Sequence, residues 1–157
     1  MITSRRRLFH LCSLLMSTLF AYSASVQLND HDWYFWFPLY SSACLINLTN
    51  CIKTTKLNKP IATITLWVGI LLYIKVVLED FIYEIAGFWS LDLSERVVRE
   101  KIGSILVIIS TILQMKAASN VQKNISYIVK YGMLILVCFS YMLPFVFFVI
   151  LRGEIKL

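Results

Sequence analysis

Charge is what this sequence has least of. Charged residues are 15% of the chain, against about 25% in an average soluble domain. There is no CxxC pair, no Cys/His spacing for zinc, no HxxxH and no glycine-rich phosphate loop. No serine or cysteine stands with a base in a nucleophilic arrangement, so no catalytic residue, metal ligand set or cofactor is assigned. Gly69, Gly103 and Gly132 make no GxxxG pair, the small-residue spacing that brings membrane helices together. The four cysteines, Cys12, Cys44, Cys51 and Cys138, fall in or near apolar runs, where a free thiol behaves as a small apolar group.

What the chain does have is apolar residues, 59% of the total, and they come in blocks. A bilayer crossing takes about 20 mostly apolar residues. Leu8–Val26, Trp33–Cys51, Ile61–Leu78, Ile102–Met115 with its flanks (to about residue 118) and Tyr127–Leu151 meet that length. Stretches such as "ILVIISTIL" and "MLPFVFFVIL" are apolar all round, unlike the striped helices of a soluble bundle. The expected fold is therefore all-α: one integral membrane domain over 1–157, a multi-pass helical bundle of about five spans. An alternative treats the first run as a signal peptide cut near Ala24, which leaves four spans.

The net charge of +6 is dispersed between the apolar runs and forms no patch for nucleic acid. Lys and Arg in short loops mark the cytoplasmic side. Nine of them (Arg5, Arg6, Arg7, Lys53, Lys56, Lys59, Lys116, Lys123, Lys130) fall on one side, five on the other, and Lys75 lies inside the third run. The amino terminus is thus expected inside and the carboxyl terminus outside. All nine acids fall on or near the outer side: Asp30, Asp32, Glu79, Asp80, Glu84, Asp92, Glu95, Glu100 and Glu154. The sequons at Asn47 and Asn124 fall inside and should stay unmodified.

Two motifs stand out. "VQLNDHDWYFWFPLY" joins the first two runs, and "REKIG" opens the fourth. Together they resemble the transmembrane protein 220 family, whose first span ends in Val/Leu-Gln-x-Asn-Asp-Pro-Asp before an aromatic second span. Gln27, Asn29, Asp30, Asp32, Trp36 and Tyr40 match, and Arg99, Glu100 and Gly103 fit the family's Arg-Glu-x-x-Gly. His31 departs, standing where the family has Pro. The resemblance implies a multi-pass membrane protein and two sites to examine. It implies no biochemical activity.

Physically, Asp32 is placed to cap the second helix, and Asn29 and Asp30 suit the reversal before it. Trp33, Tyr34 and Trp36 suit headgroup depth. Gln27 lies a turn deeper and needs a partner on a neighbouring helix. Arg99 is expected to clasp Asp30 or Asp32, since a guanidinium suits a carboxylate, and Glu100 sits favourably at a helix start. Lys75 is expected to snorkel or to pair with Glu79. Pro144 is expected to kink the fifth span, and His10 has no visible partner ligand. The preferred role is structural or interactive in the lipid bilayer, with a protein partner or a second copy left open. The alternative is a small transporter or a cation-binding protein whose outer mouth uses Asp30, His31 and Asp32 with Glu79, Asp80, Glu84 or Glu100.

Overall fold

A computed structural model of the chain describes residues 2–52, 59–83, 93, 95–119, 126–146 and 149. These residues form five α-helices: α1 Ile2–Gln27, α2 Trp33–Ile52, α3 Lys59–Tyr83, α4 Arg96–Ser119 and α5 Tyr127–Phe145. The first four expected runs fall in helices, and the fifth does so as far as Phe145. α3 extends past both ends of its run, and α4 begins six residues ahead of Ile102. The helical period tolerates a charged first or last turn at the membrane edge, and hydropathy alone cuts such turns off. Glu84, Asp92, Asn124 and the last residues of the fifth run lie outside the described residues.

Local chemistry explains several of the ends. Pro60 stands in the first turn of α3, where its missing N–H costs no helical bond. After Gln27 the chain turns within five residues. Asp30 N–H donates to Gln27 O at 2.9 Å, and Trp33 N–H to Asp30 O at 3.3 Å. Pro144 falls next to the last residue of α5, whose end is closed by the Val146 N–H on the carbonyls of Met142 and Leu143. The regular α-helical pattern gives way there to a wider helical turn at Val146, as expected beside a residue that lacks an N–H.

α1 packs on α2 and α5, α3 on α2 and α4, and α4 on α5. α2 also touches α4, so these two helices run through the middle of the bundle. The core holds Phe9, Met16, Phe20, Trp36, Leu39, Tyr40, Val107 and Met133. Tyr40 stacks between Phe20 and Trp36, with ring centroids 6.4 and 6.1 Å away. Large apolar side chains also face outward, among them Ile64, Leu71, Phe81 and Ile135. So broad an apolar exterior fits a lipid surface and no aqueous one. α1, α3, α4 and α5 are long and apolar enough to cross a membrane.

The order of the helices brings the end of α1, the start of α2, the end of α3 and the start of α4 together. Asp30, Asp32, Glu79, Asp80, Glu95 and Glu100 therefore share one end of the bundle. Lys59, Lys116 and Lys130 lie at the other.

Candidate functional site

The first motif turns its charge inward. Asp32 precedes α2, and its backbone carbonyl accepts the Phe35 N–H at 3.1 Å. Its carboxylate does not cap the helix, as the sequence suggested. Oδ2 accepts the Trp36 indole N–H at 3.2 Å and lies 3.6 Å from Lys75 Nζ, while Oδ1 is 3.5 Å from Arg96. A carboxylate one turn before a buried tryptophan gives that indole a partner it would otherwise lack.

Arg96 is the centre of this network. Its guanidinium reaches Asp32, Glu79 at 3.4 Å and, one turn along α4, Glu100 at 3.3 Å. Lys75 adds Glu79 at 3.8 Å, one helical turn on, as expected from spacing, and sits 5.5 Å over the Phe35 ring. Beside it lies a tighter pair, Lys101 Nζ to Asp80 at 2.7 Å, with both side chains under 10% exposed. The junction, α3 and α4 are thus tied by alternating charges. The clasp on Asp32 exists, and its arginine is Arg96 in place of the expected Arg99. Arg99 lines the cleft that α4 forms with α1 and α5 and donates to Leu93 O at 3.0 Å. Positions three apart lie about 60° from each other around a helix, and which of the two meets the junction depends on how α4 is rotated about its axis.

A cycle of Asp32→Ala and Arg96→Ala, read by thermal unfolding in detergent, should show coupling of about 1 kcal/mol. That value lies between exposed and buried pairs, because Arg96 is 39% exposed and Asp32 12%. Asp32→Ala with Arg99→Ala should be additive.

Glu100 is wholly buried, and neither of its oxygens finds a hydrogen-bond donor despite the nearby Arg96. Beside it, Gly103 lets α2 and α4 close up. A Cβ at position 103 would overlap the Tyr40 hydroxyl and come within 3.0 Å of Tyr40 Cζ. The two motifs therefore meet physically. Tyr40 from the first lies against Gly103 from the second.

That contact forms one wall of a cavity of about 370 Å³ between α1, α4 and α5. Gln27, Asp30, Tyr40, Arg99 and Gly103 all line it, so five of the nine motif residues converge there. Its polar end is Gln27, Asp30 and Arg99. Its body is Leu19, Leu106, Phe139 and Leu143. Gln27 does not find the interhelical partner expected of it, since its Oε1 is buried with no hydrogen bond. Asn29 and His31 are exposed in the turn. No three metal-ligating side chains gather among the described residues, so Asp30, His31 and Asp32 do not converge on a point.

The sequence reading missed a second polar group toward the other end of the bundle. Gln114 Nε2 donates to Ser13 Oγ and to Asn47 Oδ1, both at 2.8 Å, and Asn47 Nδ2 donates to Ser110 Oγ at 3.0 Å. All four side chains are fully buried and knit α1, α2 and α4 together. The signal was present: Ser110 and Gln114 are one turn apart in an apolar run, and Asn47 interrupts another. Asn47 carries a sequon, and in the folded bundle its amide is sealed in the interior.

Known proteins bear on the same stretch of chain. The family model described as "Transmembrane family 220, helix" matches residues 19–116. That span runs from the α1 wall of the cavity through both motifs to the Asn47–Gln114 group. No match was found among curated proteins or among solved structures.

Proposed function

Because the chain belongs to transmembrane family 220, with both family motifs meeting at one cavity, we propose that it is a membrane binding protein that holds a small amphipathic molecule there. The observation that carries this reading is the polarity of the lining. Gln27, Asp30 and Arg99 occupy one end, and the rest is mainly aliphatic and aromatic with Ser23 and Ser140 among it, the usual make-up of a small-molecule site. Exposed Tyr22, Trp33 and Tyr34 lie at the same end, and such rings favour the membrane interface. The polar end of the cavity then sits at headgroup depth and its body among acyl chains. The charge distribution supports an orientation with the amino terminus in the cytoplasm, the carboxyl terminus outside, and the cavity mouth on the non-cytoplasmic face.

An alkyl amphiphile carrying a photoreactive diazirine near its middle tests the binding. Labelling should map to α1, α4 and α5 around the cavity. Ser23→Trp or Leu143→Trp, which fill it from two sides, should lower the yield about tenfold, equivalent to about 1.4 kcal/mol of binding. Labelling spread evenly over the outward face of α3, at Leu71 and Phe81, and unchanged by either variant would reject the site. A purely structural role is the second reading. The Arg96 network favours it, and it is the reading left if the labelling result is negative.

A further inference from the structure

One carboxylate of the Arg96 network is left over. Asp32 and Glu79 each meet both cations of the network, Lys75 at 3.6 and 3.8 Å and Arg96 at 3.5 and 3.4 Å. Glu100 meets Arg96 alone, at 3.3 Å. Among the described residues, three carboxylates thus share two positive charges, and the least compensated of them is the most deeply buried. The Glu100 side chain is 0% exposed, against 12% for Asp32 and 26% for Glu79. Neither of its oxygens accepts a hydrogen bond. The other titratable groups around it do not balance its charge. Tyr40 faces it from α2 with a hydroxyl that is neutral at neutral pH. Lys101, next along α4, is turned to Asp80 at 2.7 Å. The one charge on α5, Lys130, lies at the other end of the bundle. An ionised carboxylate taken out of water needs a counter-charge and donors of its own, and without them it neutralises.

We propose that Glu100 is a proton-binding site, held as the neutral acid in the folded protein at neutral pH. A bound proton leaves two carboxylates facing two cations. The partly exposed side chains of Arg96 and Glu79 connect the site to water at this end of the bundle. When the proton leaves, the Glu100 charge competes for the guanidinium that ties Asp32 to Glu79. Proton binding is thereby linked to the tie between the junction, α3 and α4.

Infrared spectra of the protein in lipid, titrated in pH, test the site directly. At neutral pH the wild type should show a carboxylic-acid C=O band that disappears as the pH is raised. Glu100→Gln should lack this band, and Glu95→Gln, which alters an exposed acid just before α4, should keep it. Unfolding in detergent gives a second readout. The unfolded chain ionises this side chain above about pH 4.3, while the folded chain keeps the proton, so folding takes up a proton there and stability falls as pH rises. The fall ends once the folded protein has lost the proton too. Within that window the unfolding constant of the wild type, relative to Glu100→Gln, should grow about tenfold per pH unit. No acid band at neutral pH, a band that survives Glu100→Gln, or a pH dependence unchanged by that substitution would each overturn the proton site. So would a Glu100→Gln chain that fails to fold, because an amide reproduces the shape of the neutral acid and lacks only the charge of the ionised one.

Discussion

Asp80→Ala should lower the unfolding free energy of the protein in detergent by about 3–5 kcal/mol, and Lys101→Ala should cost about the same. The two groups are 2.7 Å apart, with side chains 5% and 8% exposed. At that burial, removing one charge leaves the other without its nearest counter-charge in a medium that solvates it poorly, and such a loss lies in this range. The more exposed pairs around Arg96 are screened and should cost less. Asp80→Leu combined with Lys101→Met should be less damaging than either alanine variant, since apolar packing of similar volume often replaces a buried ion pair without loss. Losses below about 1 kcal/mol for both single variants would mean that water reaches the pair.

Gly103→Ala should be the most damaging single methyl in the bundle, costing about 1–3 kcal/mol. An alanine normally strengthens a helix by about 1 kcal/mol over glycine. Here the new carbon would overlap the hydroxyl of a tyrosine held between two aromatic rings. Tyr40→Phe in the same chain should recover part of the loss. It removes the overlapping oxygen but leaves Cζ and Cε1 at 3.0 and 3.3 Å. Gly69→Ala is the internal comparison. Its nearest neighbour is Ile108 Cγ1 at 3.2 Å, a side-chain carbon that can shift by a few tenths of an ångström, so its effect should be small. Thermal unfolding of the three single variants and the double settles the order. A neutral Gly103→Ala would show that α2 and α4 have room to part.

The helices and their approximate positions were legible in the sequence because apolar run length is a property of single segments. The family was legible for a related reason, since its residues are contiguous in two short motifs. Which partner each motif residue would find was less legible. Trp36 lies one turn after Asp32, and that local relation sets their hydrogen bond. Asp32 with Arg96, 64 positions away, depends on how α4 is rotated about its axis. Rotation is set by the sum of packing at Gly103, Tyr40 and Trp36, and no window of sequence contains that sum. The Asn47–Gln114 group escaped notice because each member is a lone polar residue in an apolar run, and only the α2–α4 contact gathers them.

That α2–α4 contact has a consequence for how the protein is made. α2 carries Trp36, Tyr40 and Asn47, which are almost completely covered by other helices. Asn47 finds Ser110 and Gln114 63 and 67 positions later in the chain. At about 5–20 residues per second of synthesis, roughly 3–13 seconds separate the two. During that interval the Asn47 amide has the Ala43 carbonyl of its own helix, 2.9 Å away, and whatever α1 offers. α1 and α2 therefore emerge as a hairpin several seconds before α4 exists to cover Asn47. A substitution in α4 that never touches α1 or α2 in function can still cause the early half of the protein to be lost before the late half exists.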